Sequence, residues 1–200
     1  MIGIDEVGRG ALAGPLLVAG CYFTENHSFT SGLNDSKLLT RKKREELDRT
    51  IKANTIYKIV AISPKEIDRI GLTRSIRKAI IQILKTMPSD KTIMMDGKYN
   101  FLRNTKYFNR SKTEIKADQK YPCVMASSII AKVERDRIMR KYGIKYPEYG
   151  FVSNVGYGTK MHLDGIKHYG ATKIHRKSFR PMSYLKKSNL LKRNIGHTTI

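Results

Sequence analysis

Four carboxylates in this chain sit at positions where ordinary solvation is not the only explanation. Asp5 and Glu6 are adjacent and end the apolar run Met1-Ile2-Gly3-Ile4. Asp96 closes Thr92-Ile93-Met94-Met95 and precedes Gly97, while Asp118 follows Thr113-Glu114-Ile115-Lys116-Ala117. Two ionised carboxylates side by side at a strand end repel each other, so water or a divalent cation must neutralise them. For an isolated acidic pair, water at a surface edge suffices. Carboxylates at several strand ends raise the second option, because ligands of α/β sheets gather where strands end. If the sheet brings Asp5, Glu6, Asp96 and Asp118 together, they need metal. In a basic chain the matching task is phosphodiester hydrolysis with two Mg²⁺ or Mn²⁺ ions about 3.5–4 Å apart.

The chain is strongly basic. Its 200 residues carry 39 Lys and Arg against 17 Asp and Glu, a net charge of +22. That balance makes nucleic acid the first partner to consider; a Lys-rich composition is the plainer account, but such a surface attracts polyanions whatever its origin. The 40% apolar fraction excludes a disordered chain, and the length fits one ordinary domain. The acidic residues are unevenly placed: residues 1–37 hold Asp5, Glu6, Glu25 and Asp35 against only Arg9 and Lys37. An acidic start inside a basic chain suits a cation site within a polyanion-binding surface.

Cys21 and Cys123 are too few and too far apart for a disulfide framework or a zinc site, so a reduced, cytoplasmic setting is expected. The weakly polar run from Ala11 to Phe23 contains Pro15 and falls short of the ~20 apolar residues a bilayer span requires. Val18-Ala19-Gly20-Cys21 looks like a lipoprotein cleavage box, but the acidic leading residues argue against a signal peptide.

Several elements must position these groups. Met1–Asp5 reads as a strand and Leu16–Phe23 as a strand buried on both faces, with Gly10, Gly14 and Pro15 turning the chain between them. Thr40 caps a helix to about Ala53, Ile56–Ile62 forms a third strand, and Thr92–Asp96 a fourth. Between the last two, Ile76, Ile80, Ile83, Leu84 and Met87 follow helical spacing, with Thr73 as N-cap and Pro88 as stop. Thr113–Ala117 makes a short fifth strand, Pro122 opens a helix to about Tyr142, and Met161–Tyr169 forms the last clear helix. The order predicts an α/β layer fold. Residues 1–181 are read as the catalytic domain. Residues 182–200, with Lys186, Lys187, Lys192 and Arg193 around Leu185, Leu190 and Leu191, form a basic tail that is either an amphipathic helix or frayed.

Together these residues resemble the ribonuclease HII family, the type 2 ribonucleases H. The resemblance runs from about Ile2 to Pro181 and rests on GIDEVGRG at 3–10, LNDSKLL at 33–39, MDG at 95–97, KAD at 116–118, ASSIIAKVERD at 126–136, YPEYGF at 146–151, GYGT at 156–159 and HRKSF at 175–179. It implies a ribonuclease H-like fold, a mixed five-stranded sheet flanked by helices. It also implies cleavage of the RNA strand of RNA–DNA hybrids and incision 5′ of single ribonucleotides embedded in duplex DNA, leaving 3′-hydroxyl and 5′-phosphate ends. The family pattern makes Asp5, Glu6, Asp96 and Asp118 catalytic, with Asp5, Glu6 and Asp96 as ligands of Mg²⁺ or Mn²⁺. It gives Gly8, Arg9 and Gly10 the reading of the 2′-hydroxyl, Tyr157 a stack on the sugar after the ribonucleotide, and Lys37 a phosphate contact.

A monomer is expected, and the resemblance leaves a sliding-clamp partner open. The related ribonuclease HIII family usually adds an N-terminal domain, for which a catalytic strand beginning at Met1 leaves no room. From another class, a non-catalytic basic nucleic-acid binder would use the charge alone and have no need of the carboxylates. The chain departs from the family pattern at Asn154-Val155, where His-Lys is usual, at Ala117, where Gly is common, and at Ala11, where Pro is common. The absent lysine at 155 bears on affinity rather than chemistry. Two further readings follow from spacing alone. His162, His168 and His175 lack zinc spacing and read as solvent-facing or capping residues, and Arg135, Arg137, Arg140 and Lys141 read as the wet face of a helix.

Overall fold

The structure is a computed structural model that describes residues 1–24, 33 and 39–182. Five strands form one mixed sheet: β1 (Ile2–Val7), β2 (Leu16–Tyr22), β3 (Ile56–Ile62), β4 (Ile93–Asp96) and β5 (Ser111–Glu114), in the order β3-β2-β1-β4-β5. β1 pairs antiparallel with β2 and parallel with β4, and β4 pairs parallel with β5. The register sets Ile2 opposite Ile93 and Ile4 opposite Met95, so the next residues along, Asp5 and Asp96, leave neighbouring parallel strands at the same end.

Side chains alternate across a strand. Ile2 and Ile4 enter a core shared with Ile93, Met95 and α3 (Leu72–Leu84), which contributes Ile76, Ile80 and Ile83. The other face packs on the long helix α5 (Pro122–Lys145) and on α1 (Arg41–Asn54), through Ala126, Ile129 and Ile130 of α5 and Leu47 and Ile51 of α1. At Gly3 the fit is close enough that a Cβ would lie 2.2 Å from the Cys123 carbonyl carbon. Ser127 Oγ donates to the Gly3 carbonyl at 2.9 Å, fixing α5 along β1. A third cluster joins Met139 of α5 to Tyr149, Phe151, Ile166, Ile174 and Met182, around two later helices, α6 (Phe151–Asn154) and α7 (Lys160–Tyr169).

Several boundaries differ from those read in the sequence. Thr40 does cap α1, accepting from Lys43 N at 3.3 Å. The N-cap of α3 is Gly71 rather than Thr73, because a separate helix, α2 (Pro64–Ile70), runs directly into it. Ser63-Pro64-Lys65-Glu66 carries the signal for α2: Ser63 Oγ accepts from Glu66 N at 3.2 Å, and Pro occupies the first turn. β5 is Ser111–Glu114 instead of Thr113–Ala117, since Lys116 turns to φ 60° and Ala117 starts a one-turn helix, α4 (Ala117–Lys120). Asp118 therefore stands on α4, not on a strand end. Cys21 is buried inside β2 and both cysteines are free, so the segment that looked like a cleavage box is a central strand. Met182 is buried, and residues 183–200 lie outside the described residues. Among the described residues no helix is long and apolar enough to cross a membrane.

Candidate active site

Asp5, Glu6, Asp96 and Asp118 line one cleft of about 430 Å³ together with Gly8, Arg9, Gly10 and Tyr157. Alternation along β1 sends Asp5 to the α5 face of the sheet and Glu6 to the opposite face. Asp96 follows Met94, which packs with Cys123 and Val124 of α5, so Asp96 shares the face of Asp5. The α4 turn brings Asp118 to the same edge, and Asp96 Oδ1 accepts from the Ala117 N–H at 2.9 Å, tying α4 to the end of β4. Of the expected site residues, only Lys37 lies outside the described residues.

The acidic pair is electrostatically strained. Burial, then the adjacent Glu6 charge and, more weakly, Asp96 raise the Asp5 carboxyl well above the usual range. Bonds from the Ser128 hydroxyl and the Glu6 N–H, the latter 2.8 Å, oppose that rise. Burial lifts Glu6 to about 7, although Arg9 beside it favours ionisation. Arg9 Nη1 donates to Glu6 Oε1 at 3.1 Å, and its guanidinium stands 5.8 Å from the Phe101 ring centre. Among the described residues no three His, Cys, Asp or Glu side chains close into a metal cage. The donor set nonetheless fits hard divalent cations: four oxygen-bearing side chains face one space, and two of them lose a proton only with difficulty unless positive charge is supplied.

The two glycines of Gly8-Arg9-Gly10 differ in why they are glycine. Gly8 has φ +87°, and a Cβ there would lie 2.2 Å from Arg135 Nε, so the fold itself demands glycine. Gly10 meets no such obstacle: its nearest neighbour would be Tyr157 Cε1 at 3.9 Å. The protein leaves open space there, which is what close approach of a ligand to the backbone needs.

Tyr157 is held from several directions. Asn154 Oδ1 accepts from Gly156 N at 2.8 Å, and the Asn154 carbonyl accepts from Tyr157 N at 2.9 Å. The Gly156 carbonyl accepts from Leu12 N at 2.8 Å and Ala13 N at 3.2 Å, joining the tyrosine loop to the segment after Gly10. Asn154-Val155, the departure from the family pattern, thus builds this loop: Asn154 is buried, and Val155 takes φ 43°.

α5 contributes residues to which the sequence reading gave no chemistry. Ser128 and Lys132 line the cleft, with Lys132 Nζ 2.7 Å from Asp136 Oδ1. Ser128, Lys132, Arg135 and Met139 share one helix ridge at spacings of three and four, a signal present in the sequence. Arg135 corrects the expectation of a wet face, for it is fully buried. Its Nε and Nη2 donate to the carbonyls of Pro15 and Ala13 at 3.1 and 3.3 Å, and its guanidinium stands 5.5 Å from the Tyr157 ring centre. Arg176, also fully buried, donates to the carbonyls of Gly14 and Arg9 at 3.1 and 3.0 Å. Two guanidiniums therefore clamp the glycine loop through its carbonyls. His162 and His175 are likewise buried, not solvent-facing, and lie beneath the tyrosine loop.

The family model described as Ribonuclease HII matches residues 2–182. A ribonuclease HII of Campylobacter concisus is 47% identical over 177 residues, covering 88% of this chain and 91% of its own. One of Aliarcobacter butzleri is 44% identical over 181 residues, 90% of each chain. Among solved structures, the ribonuclease HII of Archaeoglobus fulgidus, determined in complex with PCNA, superposes with a TM-score of 0.78 at 28% identity, covering 90% of this chain and 94% of that one.

Proposed function

The chain belongs to the ribonuclease HII family, and on that premise we propose that it hydrolyses the RNA strand of RNA–DNA hybrids and incises duplex DNA on the 5′ side of a single embedded ribonucleotide. The products are a 3′-hydroxyl and a 5′-phosphate. The observation that carries this reading is the parallel register of β1 and β4, which delivers Asp5 and Asp96 side by side, with the glycine loop and Tyr157 lining the same cleft. A non-catalytic binder has no use for buried carboxylates that resist ionisation.

In this reading Asp5, Glu6 and Asp96 hold Mg²⁺ or Mn²⁺, and Asp118 completes the acidic rim. Ions held there would supply activation of the attacking water and stabilisation of the leaving 3′-oxygen. The rest falls to the chain. Ser128 orients the Asp5 carboxyl, and Arg9 orients Glu6. The Gly8–Gly10 backbone, held by Arg176 at the Arg9 carbonyl and open at Gly10, presents fixed polar groups to the 2′-hydroxyl, the group that distinguishes RNA from DNA. Tyr157, 39% exposed, offers a ring to the following sugar. Lys132 on the cleft wall and Lys37 supply phosphate contacts. Free, buried Cys21 and Cys123 suit a reducing cytoplasm.

The direct test is incubation with duplex DNA carrying one ribonucleotide, and separately with a long hybrid, with Mg²⁺, Mn²⁺ or chelator. Ion-dependent incision on the 5′ side of the ribonucleotide is expected. Binding without ion-dependent incision would overturn the assignment.

A further inference from the structure

Below Tyr157 lies a buried hydrogen-bond chain that the chemistry above does not use. His162 Nδ1 is 2.9 Å from the Tyr157 carbonyl, His162 Nε2 is 3.0 Å from His175 Nε2, and His175 Nδ1 accepts from the Thr172 N–H at 2.9 Å. The two ends fix every proton. A carbonyl only accepts, so His162 carries its proton on Nδ1. A backbone N–H only donates, so His175 Nδ1 is bare, and the neutral His175 ring donates through Nε2 to His162 Nε2. Neither ring has a free nitrogen to rearrange. Phe151 and Tyr149 pack on them, with ring centres 5.0 Å from His162 and 5.1 Å from His175 respectively.

The far end of the chain is anchored to the glycine-loop segment. His175 forms an isolated antiparallel bridge with Ala13. On either side of it, Gly14 N donates to the Ile174 carbonyl at 2.9 Å and Arg176 N to the Leu12 carbonyl at 2.8 Å. The histidine pair thus connects the backbone just after Gly10 to the carbonyl of Tyr157, a second link beside the Gly156 bonds to Leu12 and Ala13.

We propose that His162 and His175 are positioning residues that fix Tyr157 relative to the Gly8–Gly10 loop, and so set how strongly the enzyme favours a single ribonucleotide followed by deoxyribose over a continuous hybrid. The proposal rests on the reading in which Tyr157 stacks on the sugar beyond the ribonucleotide. Two apolar rings would fill the same space. What histidines add is direction: a donor aimed at one carbonyl, carried from a segment already bonded to the glycine loop.

Two substitutions of one residue separate positioning from packing. His162→Asn keeps an N–H near the Nδ1 position. His162→Gln moves the amide out to the Nε2 position, leaving the Tyr157 carbonyl without its donor. kcat/KM is measured for a single-ribonucleotide duplex and a long hybrid, in wild-type and Tyr157→Ala backgrounds, with unfolding midpoints for each variant. His162→Gln should lower the preference for the single ribonucleotide by about fivefold, and His162→Asn by less than about twofold. In the Tyr157→Ala background His162→Gln should add nothing.

Equal losses on both substrates for Gln and Asn would overturn the positioning role. An unchanged preference in Tyr157→Ala alone would instead overturn the reading of Tyr157, and the proposal with it. If both variants unfold, nitrogen NMR of the wild-type rings decides: protons on His162 Nδ1 and His175 Nε2 support the chain, and a proton on His162 Nε2 overturns it.

Discussion

The buried acidic pair should make the ion-free protein less stable as pH rises, and one substitution should remove the effect. Glu6 rises from 4.5 in the unfolded chain to about 7 when folded. Its protonated form is the one the fold favours. Below pH ~4.5 the group is neutral in both states and costs nothing. Above that, folding must hold a proton or accept a buried charge, so stability falls until pH passes the folded value. A difference of about 2.5 units corresponds to about 3 kcal/mol at full effect. The side chain is only 8% exposed, so solvent screening discounts little of this. Glu6→Gln removes the charge and keeps the shape. It also relieves Asp5, which the Glu6 charge pushes upward. The lost ion pair with the half-exposed Arg9 costs back at most about 1 kcal/mol.

In chelator, urea unfolding at pH 5 and pH 8 should show the variant gaining about 2–3 kcal/mol on the wild type between the two pH values. Mg²⁺ should narrow that gap by stabilising the wild type more at pH 8, where the ligands are ionised. Identical pH dependence in both proteins would refute the assignment of a strained Glu6.

Asp5→Asn and Asp96→Asn should each abolish incision while leaving a folded protein; near-normal turnover by folded Asp5→Asn in a gel assay would remove it from the ligand set. Gly8→Ala should destabilise the fold by about 2 kcal/mol or more, because it adds both a positive-φ penalty and a clash with Arg135, whereas Gly10→Ala should keep the unfolding midpoint and lose activity. Equal thermal stabilities for the two glycine variants would show that the distinction between them is wrong. Removing residues 183–200, which hold Lys186, Lys187, Lys192 and Arg193, should flatten the salt dependence of duplex binding by about 0.9 per lost phosphate contact. An unchanged slope would mean that the segment does not touch nucleic acid.

Asp5, Glu6 and Asp96 were legible in the sequence because they end apolar runs, and apolar runs report strands; Asp118 follows the mixed stretch Thr113–Ala117 and had no such signal. Their convergence was not legible from spacing, since it depends on β1 pairing with β4 across some ninety residues, and it came from the family resemblance. Asp118 was misplaced because a left-handed Lys116, rather than any glycine or proline, ends β5 early. Arg135 misled for a different reason. A charged residue among Arg137, Arg140 and Lys141 reads as solvated, and its carbonyl partners at Ala13 and Pro15 lie more than a hundred residues away. The histidines failed the spacing test for zinc, but that test asks only about metal. His162 answers to a carbonyl five residues earlier and to a ring thirteen residues later, a pattern no ligand motif encodes. Gly10 was visible as a glycine but not as one the fold could spare; only the empty space around it makes that distinction.

The bonds from Leu12, Ala13 and Gly14 to Gly156, Ile174 and Arg176 have a consequence for biosynthesis. The segment that follows the first strand leaves the ribosome well before the partners it bonds to. At about 5–20 residues per second, synthesis from Leu12 to Arg176 takes on the order of ten seconds or more. Until residue 176 is added the loop lacks half of its arginine clamp, although Arg135 and Tyr157 are already made. A chain halted between Asp118 and Arg135 owns all four carboxylates but neither clamping arginine and no Tyr157. The complete clamp thus forms only when the segment around Arg176 closes on the loop after β1, and a chain stopped before it carries the acids without the full apparatus that directs them at nucleic acid.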